Sequence, residues 1–240
     1  MLILALDTTT RAGSLAVARD GVVLHEMVGD TATSHAQRLP LDVLAVCTSA
    51  GITLREVDLF AVAAGPGSFT GVRVGIASVQ GLAFATAKKV APVSTLEAIA
   101  GVSAGVEGRR VAAWMDAQRQ QVFAQLFEPR RNGHAANSRT PALTDAVAAP
   151  PQAVLELWGS VTALGAVAFR GDGAMKYADV IRSIVGPAAD VGIEVPPLAG
   201  AIARIAAADP ARAVVPHAVV PIYVRRPDVE LARERRARGT

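Results

Sequence analysis

The chain has little of what builds covalent or metal-held scaffolds. Its single cysteine, Cys47, excludes an internal disulfide framework, and its four histidines (His25, His35, His134 and His217) are dispersed without any zinc-type spacing. Aromatic residues make up only 4% of 240 residues against 51% hydrophobic, so the core must be packed from Ala, Val, Leu and Ile. Long apolar runs are also missing. Leu2 to Leu6 is too short for a secretory signal and ends at Asp7, while Val72 to Ala87 carries Arg73 and Gln80. A soluble, cytoplasmic protein with no membrane contact is expected. No GxSxG elbow offers a nucleophile. GPGSFTG (65–71) lacks the Gly-Lys-Ser/Thr end of a phosphate-binding loop, and GPGSFTGVRVG is no dinucleotide fingerprint.

Excess charge is confined to one end. Of 24 basic and 21 acidic residues, six arginines (225, 226, 233, 235, 236 and 238) and three acids (Asp228, Glu230 and Glu234) lie from Arg225 onward. The body is therefore neutral and 225–240 reads as a basic, solvated tail; weak contact with nucleic acid is the other use for such a segment.

What is present is an ordered alternation. Leu2 to Asp7 and Ser14 to Ala18 read as strands around a turn at Ala12-Gly13, and Asp20-Gly21 leads into a third strand, Val22 to Val28. TSHAQRLPLDVLAVCTSAG (33–51) reads as a helix. Ser34 and Gln37 fit a capping box, and Leu39, Val43, Val46 and Ala50 keep one helical phase up to Gly51. Pro40 predicts either a kink or a start near Leu39. A buried strand, Leu59 to Ala64, runs through GPGSFTG into a long helix from about Thr70 to Lys88, then a strand (Val90 to Val93) and a short helix (Leu96 to Val102).

The pattern then restarts. VAAWMDAQRQQVFAQLF (111–127) lays MDAQRQQVFA over LDTTTRAGSLA with one residue of slack in the turn. A polar linker (130–151), a helix near Val154 to Ser160, a strand in AVAFRGDGA (166–174) and helices near 175–185 and 198–208 follow. Two similar α/β lobes are predicted, 1–104 and 105–224, with the end of the second packing back on the first.

The helix GVRVGIASVQGLAFATAKK (71–89) has no wet side. Val72, Val74, Ile76, Val79, Leu82, Ala83 and Phe84 point nearly all round the axis, and only Arg73 and Gln80 mark a polar strip. Gly71, Gly75, Ser78 and Leu82 line up small residues that permit close helix approach. Such a helix is either an interior core helix or, with residues 34–50, a protein–protein interface. Two aspartates remain for chemistry. Asp7 and Asp116 end equivalent strands and could face each other around a magnesium–phosphate group, helped by Thr8 to Thr10 and Gly13. The second turn, Ala117-Gln118-Arg119-Gln120, has no glycine, which makes close backbone approach to phosphate harder.

LALDTTTRAGSLAV (4–17), AAGPGSFTGVRVG (63–75), GLAFA (81–85), GDGA (171–174) and PIYVR (221–225), in this order and spacing, resemble the TsaB family of tRNA threonylcarbamoyladenosine biosynthesis. The resemblance implies two tandem RNase H-like lobes of the actin, sugar kinase and heat-shock ATPase (ASKHA) superfamily. It implies a non-catalytic subunit without a cofactor or metal of its own, partner of a TsaD-type paralogue, with a TsaE-type ATPase joining and tRNA as the substrate of the complex. The paralogue's HxxxH metal pair falls here on Thr95 and Ile99, neither able to replace an imidazole. The implied interface is the helix pair 34–50 and 69–88, through Leu39, Val43, Val46, Ala50, Gly71, Val72, Gly75, Ser78, Val79 and Leu82. The same surface would serve a homodimer in isolation. Asp7, Thr8, Gly13, Asp116 and Gly171 become vestigial nucleotide-binding positions, and Gln118 departs from the family's Asp-Ala-Arg. The rival expectation is a small ASKHA-fold ATPase or phosphotransferase using Asp7 and Asp116. A peptidase, the third, lacks a nucleophile.

Overall fold

A computed structural model describes residues 1–102, 108–129 and 140–225. The expected tail beyond Arg225 and the first part of the 130–151 linker lie outside the described residues. The first lobe comprises β1 (Leu2–Asp7), β2 (Ser14–Arg19), β3 (Val22–Val28), α1 (His35–Ser49), β4 (Leu59–Gly65), α2 (Phe69–Thr86), β5 (Lys89–Ser94) and α3 (Thr95–Val102). The second comprises β6 (Arg110–Asp116), β7 (Val122–Phe127), β8 (Val147–Ala149), α4 (Pro151–Gly159), β9 (Val167–Arg170), α5 (Asp172–Lys176), α6 (Ala178–Val185), β10 (Asp190–Val191) and α7 (Ala199–Ala208).

Both sheets have five strands in the same arrangement. The first runs β3-β2-β1-β4-β5 and the second, read from its opposite edge, β8-β7-β6-β9-β10. In each, an antiparallel meander of three is extended by two parallel strands, β4 and β5 or β9 and β10. This duplicated α/β topology is the ASKHA-like fold that the family resemblance implies.

The side-chain period of two sorts β1 between two cores. Leu2, Leu4 and Leu6 face α1 and α2, while Ile3 and Ala5 face the opposite side. There α3 and α7 lie between the two sheets, joined by Val111, Ala113 and Met115 of β6. The outer face of the second sheet carries α4, with its Trp158, and α6 over Trp114 and Phe169. Alanines, among them Ala5, Ala16, Ala18, Ala61, Ala63, Ala199, Ala201, Ala203 and Ala206, form much of the middle layer. Their small side chains let two sheets sandwich a helix layer at close range, so the low aromatic content has a structural use.

Although late in the chain, α7 packs on β1, β2 and β4 of the first sheet. Its leading N–H groups are capped from there: Leu198 and Ala199 donate to Ser14 Oγ at 3.1 and 3.0 Å, and Gly200 donates to Glu26 Oε1 at 2.7 Å. After α7, Val214 pairs with Val90 and residues 219–225 form a strap. Ile222 N–H donates to Ala64 O at 2.7 Å in the first lobe, and Arg225 donates to Ala117 O at 2.9 Å in the second.

Three local expectations change. Pro40 sits inside α1, which begins at His35, so the helix does not start near Leu39. The expected helix at 175–185 is two short ones, α5 and α6, and β8 and β10 were not legible as strands. At two and three residues, neither is long enough to show a period.

Candidate partner surface and interlobe cleft

Ser34 N–H donates to Gln37 Oε1 at 3.3 Å at the start of α1, as the capping pattern requires, and Ser68 Oγ accepts from Gly71 N–H at 3.2 Å at the start of α2. The two helices lie side by side on the first sheet. The expected interface residues are largely turned inward. Leu39, Val43, Val46, Gly71, Val72, Gly75 and Val79 are buried in the chain's own core, and Ala50, Ser78 and Leu82 are half-buried. The reason is geometric: the regular phase read from the sequence is the phase that meets the sheet. A Cβ on Gly75 would collide with the Thr8 hydroxyl, and one on Gly71 with the Thr8 carbonyl, so these glycines admit the first hairpin rather than another chain. The outward apolar side chains are others: Leu41 at 71% exposure, Leu44 at 55% and Phe84 at 84%, with Ala45, Ala77, Gly81 and Ala85 exposed between them. Gly81 has open space before it.

Arg38 is a structural tie that periodicity missed. It is buried, pairs with Asp42, donates to Ala12 O and sits 2.8 Å from His35 Nδ1, whose Nε2 faces Thr10 O at 3.1 Å. Since guanidinium only donates, Nδ1 is the acceptor and Nε2–H the donor to Thr10. This network ties α1 to the first hairpin turn. Its only sequence signal is the Arg–Asp spacing of four on the helix.

The turns of the two hairpins face a cleft of about 870 Å³, lined by Thr9 to Arg11, Gly67 to Phe69, Asp116 to Arg119, Phe123, Asp172 and the strap. Asp7 does not open into it. Its carboxylate accepts from Thr9 N–H (2.8 Å), Thr9 Oγ1–H (2.6 Å) and Thr10 Oγ1–H (2.8 Å), while Thr8 Oγ1–H donates to Gly71 O at 2.7 Å. Gly13, at φ +64°, lets the turn pass the Asp7 carbonyl. Asp116 accepts from Gln118 N–H and Nε2–H, each at 3.0 Å, and from Lys176 Nζ at 2.7 Å; that carboxylate lifts the lysine above its usual pKa. Asp172 accepts from Asp116 and Gly173 N–H groups, and burial raises its carboxyl above the usual range. Gly171, at φ +104°, allows close approach to the Trp114 carbonyl. All five positions expected to be vestigial thus hold backbone or turns in place.

The turn without glycine is left-handed nonetheless. Gln118, Arg119 and Gln120 have φ values of 58°, 52° and 58°, a conformation that costs roughly 1–2 kcal/mol per residue. Thr95 and Ile99 of α3 are fully or almost fully buried between the lobes. Among the described residues, no group of three or more His, Cys, Asp or Glu is placed to hold a metal ion, and no helix is long and apolar enough to cross a membrane.

Residues 27–180 match the family model described as "TsaD: tRNA N6-adenosine threonylcarbamoyltransferase". The TsaB protein of Escherichia coli is 37% identical over 134 residues, 55% of this chain and 58% of that relative. The Bacillus subtilis TsaB protein is 30% identical over 128 residues, 53% and 56% respectively. The chain therefore spans little more than half the length of these relatives. Solved structures match further. YeaZ from Pseudomonas aeruginosa superposes with a TM-score of 0.73 at 31% identity, covering 92% of this chain and 99% of that one. A second, described as having similarity to peptidase YeaZ from the same organism, gives 0.75 at 32% identity, covering 93% and 99%.

Proposed function

Because the chain belongs to the TsaB/YeaZ family, we propose that it is a non-catalytic subunit in tRNA threonylcarbamoyladenosine synthesis, binding a TsaD-type paralogue through α1 and α2. In this reading the paralogue transfers the threonylcarbamoyl group to an adenosine of tRNA, a TsaE-type ATPase joins the complex, and this chain supplies the dimerising surface. One observation carries it: a helix pair anchored on its inner face presents Leu41, Leu44 and Phe84 to solvent on its outer face. Large apolar side chains clustered on two adjacent helices mark a binding surface. The absence of imidazoles at Thr95 and Ile99, and the burial of the Asp7 carboxylate under three hydrogen bonds from its own turn, support a supporting role over a catalytic one.

The test is calorimetry with the TsaD-type protein of the same cell. The expected result is a one-to-one complex weakened at least tenfold by Leu44→Asp or Phe84→Asp, with thermal unfolding unchanged, the size of effect a central apolar contact gives. Equal affinity for wild type and both variants would sink the assignment. Light scattering of the isolated chain reads the same surface, since a homodimer built on it dissociates in both variants.

A further inference from the structure

We propose that the mouth of the interlobe cleft is a binding surface for single-stranded RNA. Besides the exposed Arg119 of the second turn, three arginines stand around it: Arg11 and the strap's Arg225 in its lining, and exposed Arg73 at its edge over Phe69. Among the described residues none of the three has a carboxylate partner, whereas Arg38, Arg109, Arg170 and Arg212 are each ion-paired elsewhere. Arg225 is held by neutral oxygens of Ala117 and Gln121, so its charge stays uncompensated.

Aromatic surface is interleaved with this charge, in a chain that has few aromatics to place. Phe69 and Tyr223 stack at 6.0 Å between centroids, Arg73 lies 3.9 Å over the Phe69 ring, and Arg225 lies 5.5 Å from the Phe123 ring. Phe69 is 51% and Tyr223 43% exposed. Arginines that follow a phosphate backbone beside rings that accept stacked bases are how proteins hold unpaired strands. The floor favours a strand over a buried nucleotide triphosphate. It carries Asp172, which repels phosphate oxygens, and Asp116, whose charge Lys176 already meets, whereas those three arginines lie at the rim. Asp172 can accept from a base amino group. The inference rests on the tRNA-modification role proposed above and places an RNA contact on this subunit itself.

The test is fluorescence anisotropy of a labelled single-stranded RNA dodecamer with the full-length protein between 50 and 300 mM salt. Arg11→Gln and Arg73→Gln are each expected to weaken binding severalfold and to flatten the salt dependence by about 0.7 in log–log slope, the value of one single-strand phosphate. Phe69→Ala is expected to weaken binding about fivefold or more with the slope retained, as for a lost stacking partner. Arg11 lies on an exposed turn, so its variant keeps the test valid if Phe69→Ala unfolds. Absence of RNA binding overturns the proposal. So does binding unaffected by all three variants but abolished by glutamines at Arg233, Arg235, Arg236 and Arg238, or displacement of the RNA by Mg-ATP. Calorimetry against the TsaD-type partner runs alongside: intact partner binding with no RNA binding removes this inference alone, whereas lost partner binding by wild type removes the role beneath it.

Discussion

Thr8 meets α2 at two glycines, with its carbonyl opposite Gly71 and its hydroxyl opposite Gly75. A methyl group at position 75 has no room unless the Thr8 hydroxyl turns away from Gly71 O or the first hairpin moves. Gly75→Ala is therefore expected to destabilise the fold by about 1–3 kcal/mol, the usual cost of overpacking. For a chain of this size that lowers the melting temperature by roughly 2–10 °C, readable by differential scanning fluorimetry. An unchanged melting temperature would show that the hairpin yields freely. From the sequence, the same glycine looked like part of an intermolecular seam, because a small-residue stripe states only that something comes close. Whether the neighbour is the protein's own turn or another chain is a fact of tertiary contact. The turn after Asp116 makes the converse point. A segment lacking glycine is expected to avoid left-handed backbone, yet Gln118 to Gln120 adopt it while the Asp116 carboxylate grips Gln118. Statistical preference yielded there to a specific hydrogen bond.

At the scale of elements, both α1 and α2 were legible, and so was the Ser34–Gln37 start of α1. What the pattern could not divide was an all-round apolar surface into inner and outer faces. The inner face of α2 takes Val72, Ile76, Val79 and Ala83, and Gln80, expected as solvent-facing, donates to Pro216 O at 2.9 Å beneath the C-terminal segment. Gly81 is the position where the outer face is open. Gly81→Leu is expected to leave the melting temperature within about 2 °C, since exposed substitutions move stability little. The same change is expected to weaken helix-mediated association at least tenfold by blocking close approach, as read by analytical ultracentrifugation. Association unaffected by it would move the contact off α2.

On the scale of the whole molecule, the duplicated sheet was readable because each copy begins with the same strand, aspartate, turn and strand. The position of α7 was less so, since chain order suggests the second lobe and its caps come from Ser14 and Glu26 of the first. That contact has a pH signature. Burial raises the Glu26 carboxyl above its usual value, with the Gly200 N–H and Arg204 opposing. A carboxyl raised in the folded state contributes stability fully below its unfolded pKa, and loses it as pH rises through the folded value. Glu26→Gln, which keeps an acceptor for Gly200, is thus expected to gain on wild type in melting temperature from about pH 4 upward before levelling off. A difference independent of pH would contradict a buried, titrating Glu26.

The same contact orders events during synthesis. Ser14 and Leu198 are 184 residues apart, which a ribosome covers in roughly 10–40 s at 5–20 residues per second. For the latter part of that interval, from the completion of β5 at Ser94, the alanine-lined inner face of the first sheet has been translated but its covering helix has not. The nascent first lobe therefore waits with one wall missing, and its last stabilising piece arrives only when α7 has been made.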